Sequence, residues 1–70
     1  MLSEVERHVI EIMRERGGRA TVRELATELY KRGYSPRMAS NTLYYLAVKG
    51  LVRRAGKGVY ELAETGGDSR

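Results

Sequence analysis

The chain has 70 residues, no cysteine and a formal net charge of +4. That length holds one domain with a modest core, and the missing thiols exclude a disulfide framework or a thiolate metal site. The longest apolar runs are too short to span a membrane, and Glu4, Glu6, Glu11 and Glu15 leave no visible signal peptide, so a cytoplasmic protein is expected.

The first segment, "SEVERHVIEIMRERGG", opens on Ser3 with Glu6 three residues on, which predicts a helix closed by a capping box. Leu2, Val5, Val9, Ile12 and Met13 form its apolar stripe at helical spacing. His8, the sole histidine, borders that stripe, which suits a half-buried helix residue better than a base or a ligand. Ile10 lies roughly opposite Val5 and marks the outer side of this helix as a candidate dimer surface. Arg7 with Glu11, and Glu11 with Arg14, read as surface ion pairs. Gly17 and Gly18 end the helix, and Arg19 and Ala20 form a bridge with one or two residues of strand.

"TVRELATELYKRG" repeats the design, with Thr21 and Glu24 as the box, Val22, Leu25, Ala26 and Leu29 as the stripe, and Gly33 as the terminator. "YSPRMASNTLYYLAVKG" predicts a third helix over 36–49, with Ser35 as N-cap, Pro36 as first helical residue and Gly50 as terminator. After Gly50 the period changes. "LVRRA" and "VYEL", joined by Gly56-Lys57-Gly58, predict a hairpin over 51–62 with Leu51, Tyr60 and Leu62 toward the core. Residues 63–70 read as a flexible polar tail.

Charge is unevenly spread. Residues 1–34 carry a net +1, residues 35–60 carry +5 with no acid at all, and residues 61–70 carry −2. A purely cationic third of the chain points toward a polyanion. On the third helix, advancing about 100° per residue puts Ala39, Leu43 and Leu46 on a buried stripe with Thr42 and Ala47 at its flanks. Met38 and Tyr45 border that stripe and are expected to pack in the core. Arg37, Asn41, Tyr44 and Val48 fall on the far side, with Ser40 beside them. An outward strip of Arg, Ser, Asn and Tyr without a carboxylate suits a DNA major groove, where Arg matches guanine and Asn matches adenine.

Three helices, a four-residue turn at 31–34 and a terminal hairpin resemble the winged helix-turn-helix DNA-binding domains. In that family the third helix ends in L-x-x-x-G-L-V/I, here Leu46 to Val52, and the wing returns through G-x-Y-x-L, here Gly58 to Leu62. "ATVRELATEL" likewise resembles the family's first short strand and second helix. The resemblance covers residues 2–62. It implies a mainly α domain with a small β-hairpin (α+β), in the order helix, short strand, helix, helix, strand, wing, strand. It implies a double-stranded DNA-binding protein, most plausibly a sequence-specific transcriptional regulator, and a homodimer on half-sites about 34 Å apart. Arg37, Ser40, Asn41 and Tyr44 would read the groove, and Arg53, Arg54 and Lys57 of the wing would follow the backbone or the minor groove. Arg19, Thr21 and Arg23, at the start of the second helix, would hold phosphate through free amides and charge, or be surface residues paired with Glu24 and Glu28.

The competing reading is a winged helix used for protein contacts in a larger replication or transcription assembly, through Tyr44, Tyr45 and Val48. No phosphate loop, metal-ligand spacing or nucleophile motif occurs, so no enzyme, cofactor, metal or small-molecule ligand is expected.

Overall fold

The structure, a computed structural model, describes residues 1–63; the rest of the expected tail lies outside the described residues. Its elements follow the order α1 (Glu4–Glu15), β1 (Arg19–Thr21), α2 (Val22–Lys31), α3 (Met38–Val48), β2 (Val52–Gly56) and β3 (Val59–Leu62). The fold is α+β and mostly helical, as the sequence implies. No helix among the described residues is long and apolar enough to cross a membrane.

Both predicted capping boxes form. Ser3 Oγ accepts from the Glu6 amide at 3.2 Å while Glu6 Oε1 accepts from the Ser3 amide at 2.8 Å. Thr21 and Glu24 repeat the exchange at 3.0 and 2.9 Å. Each box satisfies one helix amide and the cap's own, and replacing such a cap by Ala costs about 1 kcal/mol.

The start of α3 departs from expectation. It begins at Met38 rather than Pro36, and Arg37, at helical φ −68° and ψ −14°, is its N-cap with no side-chain cap bond. The chain winds into the helix through a tighter turn, in which the Met38 and Ala39 amides donate to the Ser35 and Pro36 carbonyls at 3.0 and 3.2 Å. With those amides already satisfied by backbone, the Ser35 hydroxyl has no cap to make. The connection between α2 and α3 therefore spans residues 32–37.

At the other end, Gly50 takes φ +81°. Its amide donates to Ala47 O at 3.0 Å, and the Leu51 amide reaches back to Leu46 O at 2.9 Å. A left-handed residue is needed to aim both amides at the last carbonyls, and glycine takes that conformation at little cost.

The strands form one antiparallel sheet in the order β1-β3-β2. The core lies between this sheet and the three helices, with Val9, Ile12 and Met13 of α1 meeting Leu25 and Leu29 of α2 and Ala39, Leu43 and Leu46 of α3. Val52 and Leu62, opposite each other across β2 and β3, close it. Leu51 and Tyr60 are only partly buried against it. Strand alternation counted from Leu51 puts Val52 on the outer face, yet Val52 is the one fully buried. Leu51 precedes β2, so both neighbours can touch the core without breaking the alternation inside the strand.

Two further expectations change. Ile10 is half-buried against the core's margin rather than standing clear of it. Tyr45 is 58% exposed and lies edge-on to Tyr44, with centroids 5.4 Å apart, so the two rings cover each other instead of the core. Met38, its counterpart, is half-buried.

Candidate nucleic-acid interface

Arg37, Ser40, Asn41 and Tyr44 are all exposed along the outer side of α3. The opposite side buries Ala39, Thr42, Leu43 and Leu46, which fixes the rotation of the helix. Val48, 69% exposed, extends the outer strip to the last residue of α3. The four polar side chains thus stand together on one face, with no carboxylate among them.

The hairpin's arginines divide between the two faces of the sheet. Arg19, Glu61 and Arg53 lie in one row across β1, β3 and β2, and Ala20, Tyr60 and Arg54 in the next. Ala20 is buried and Tyr60 packs on the core, so their row faces the helices. Arg54 therefore lies on the helix side of the sheet, while Arg19 and Arg53 lie on the other. Between Arg54 and Gly56 the register shifts at Ala55, a bulge on the edge strand β2.

Charge pairing removes part of the cationic surface that composition implied. Arg53 Nε donates to Glu61 Oε2 at 2.6 Å, and Arg19 Nη2 to Glu61 Oε1 at 3.1 Å. These two donors hold the Glu61 carboxyl below its ordinary value, Arg53 more strongly. Lys49 Nζ is held by Glu6 at 2.7 Å. Among the described residues, acids outside the acid-free stretch thus neutralise two of its five cations and leave Arg37, Arg54 and Lys57 without an acid partner. No spacing within 35–60 reveals this, because Glu6 lies 43 residues from Lys49.

The start of α2 is less open than expected. The Val22 amide donates to Gly58 O at 2.9 Å, the Glu24 amide is held by Thr21 Oγ1, and the Thr21 amide by Glu24. The Thr21 backbone bond also keeps the Glu24 carboxyl below its ordinary value. In this first turn the Arg23 amide alone is left for an anion. The Val22 bond sets Gly58, in the hairpin tip next to Lys57 in the chain, against this helix end. The alternative reading, in which Arg19 and Arg23 pair with Glu24 or Glu28, is not what forms: Arg19 goes to Glu61. Arg16 takes both acids instead, at 3.4 and 3.5 Å.

Behind this surface, Arg32 ties the end of α2 to α1. Its Nη1 lies 2.8 Å from both His8 Nδ1 and Glu11 Oε1. A guanidinium only donates, so Nδ1 is the acceptor. Tyr34 stands 5.3 Å from the His8 ring. Glu11 is thereby taken by Arg32 rather than by Arg7, whose guanidinium turns to Leu2 O at 3.3 Å. Among the described residues no group of three or more His, Cys, Asp or Glu could hold a metal ion.

No protein-family model matches the chain, and no curated protein or solved structure matches it.

Proposed function

We propose that the protein is a cytoplasmic double-stranded DNA-binding regulator of transcription, not an enzyme, that reads a short site through the major groove. The carrying observation is the exposed, acid-free strip of Arg37, Ser40, Asn41 and Tyr44 on α3, in a chain whose element order is that of the winged helix-turn-helix domains it resembles. In this reading Arg37 donates to guanine, Asn41 pairs with adenine, and Tyr44 packs on a thymine methyl or bonds a phosphate. The hairpin is the wing. Its tip Lys57, with Arg54 and Arg23, follows the backbone, and the Val22–Gly58 bond supports this by tying the tip to the start of α2.

The test is a fluorescence-anisotropy titration with duplex DNA at several salt concentrations. About three phosphate contacts imply log K falling against log salt with a slope near −2.7 per protomer. The pair Arg37→Ala and Asn41→Ala is expected to keep this non-specific binding and to lose selection of a site from a random pool, at about 1–3 kcal/mol per base contact. Absence of binding at low salt rejects the proposal. A protein-contact role is the second reading, favoured by the adjoining exposed Tyr44, Tyr45 and Val48 at 64%, 58% and 69%. It predicts a partner that covers these three side chains and a far weaker salt dependence.

A further inference from the structure

Arg37 and Asn41 are both exposed and lie opposite the buried Ala39, Leu43 and Leu46 of α3. At about 100° and 1.5 Å per residue, they diverge by only about 40° and stand about 6 Å apart along the axis. Arg37 keeps that spacing although it precedes the helix, because its φ of −68° and ψ of −14° are helical. Neither side chain makes a hydrogen bond or an ion pair among the described residues. The fold leaves both heads free for a ligand.

Each head matches one base at two points, guanine for arginine and adenine for asparagine. Successive bases on a strand rise about 3.4 Å, so a helix axis parallel to the duplex sets the two bases about two steps apart. An inclined axis brings them to about one step, as when successive bases are read by helix residues three or four apart. Asn41 has a short side chain and must stand directly over its base, which leaves little slack in the spacing. The small divergence sends both heads to the same side of the groove, and so to purines of one strand. α3 contains no carboxylate, the group that accepts from the cytosine amine.

We infer that the site read by α3 holds a guanine and an adenine on one strand, adjacent or with a single base between them. Arg37 takes the guanine and Asn41 the adenine. The inference rests on the DNA reading of α3 and goes beyond it by fixing the strand, the spacing and a constant order of the two bases. The direction in which α3 lies along the groove sets that order, so it is the same in every site. Both readers stand on one helix of one chain, so the pair is recognised whether or not a second copy binds beside it.

The test is selection of duplexes from a random pool by the whole chain, repeated with single variants. Wild type is expected to enrich a guanine and an adenine one or two steps apart on one strand, always in the same order. Arg37→Ala is expected to lose the guanine and keep the adenine, and Asn41→Ala to do the reverse. Each loss lowers affinity for the wild-type site about ten- to a hundredfold. Asn41→Gln, whose amide still pairs with adenine, is expected to keep the adenine. Arg54→Ala, on the wing, is expected to weaken all sequences alike and leave the selected pair in place. These positions are all exposed, and circular dichroism establishes that each variant is folded. A selected site without the pair, or with its members on opposite strands or more than two steps apart, overturns the inference and leaves DNA binding standing. So does a folded Arg37→Ala or Asn41→Ala variant that loses both bases at once, or a wild type that binds duplex without preferring any sequence. Absence of binding at low salt instead rejects the DNA reading itself, and the pair with it.

Discussion

Glu6, in the first turn of α1, holds Lys49, just past the end of α3, through both carboxylate oxygens at 2.7 and 2.9 Å. The same carboxylate closes the capping box on Ser3. One acid, 6% exposed, thus starts one helix and fixes the end of another. Glu6→Gln keeps an acceptor for the Ser3 amide and loses the ion pair. It is expected to cost about 1 kcal/mol, and Glu6→Ala about 2. In a domain this small each kcal/mol lowers Tm by about 4–8 °C. Lys49→Met, which leaves the carboxylate without its cation, should cost more than Lys49→Met combined with Glu6→Gln. Thermal melts of the four variants measure this, and additive losses would show that the pair is idle.

Stability should fall on the acid side. Lys49, then the Ser3 amide, hold the Glu6 carboxyl below its ordinary value of 4.5, and Arg32 does the same for Glu11. Glu24 and Glu61 are lowered too, by the Thr21 amide and by Arg53 with Arg19. A group whose folded value lies below its unfolded value stabilises the fold above the unfolded value. That contribution is lost as pH falls through the folded value. Tm is therefore expected to be level near neutrality and to decline steadily below pH 4.5. Glu6→Gln should flatten that decline, and a Tm that rises on acidification would contradict the assignment.

How far the sequence carries depends on the range of the interaction. Ser3 with Glu6 and Thr21 with Glu24 are local, three residues apart, and both boxes form as read. The glycine at the end of α3 is local as well. At the start of α3, Ser35-Pro36 matches a common cap pattern, whereas the backbone takes a tighter turn that makes the cap redundant. A helical wheel gives a border residue such as Tyr45 no side, and its neighbour Tyr44 offers another surface to pack on. For the candidate interface, the outward strip of α3 was legible from period alone. The neutralisation of Arg53 and Lys49 was not, because strand register and helix packing set it, and neither is a spacing in the sequence.

Glu61 makes a direct test of the sheet's outer face. It stands between Arg19 and Arg53 on the central strand and ties up both. Glu61→Gln frees two guanidinium groups and raises the net charge by one. If that face approaches DNA, binding tightens at low salt and the salt slope steepens by about 0.9 for each new phosphate contact. Arg54→Ala, on the helix side of the sheet, should weaken binding and make the slope shallower. Unchanged binding in Glu61→Gln would confine DNA to the other side of the sheet.

The bond from the Val22 amide to Gly58 O fixes the hairpin tip to the start of α2, and one substitution isolates it. Val22 is the first helical residue of α2, where proline is well tolerated because its φ suits the helix. Thr21 before it has φ −87° and ψ 158°, which a following proline accepts. Val22→Pro thus deletes one donor while leaving the helix in place, and Val22→Ala accounts for the lost side-chain packing. Gly58 sits at φ +69° in the two-residue tip, and with Val22→Pro its carbonyl turns to solvent. Relative to Val22→Ala, faster amide exchange is expected around 57–59, with α1 and α3 unaffected. If Lys57 contacts phosphate from a fixed tip, DNA affinity drops several-fold, since the tip must then be ordered on binding. Equal exchange in the two variants would mean that the β2–β3 ladder holds the tip unaided.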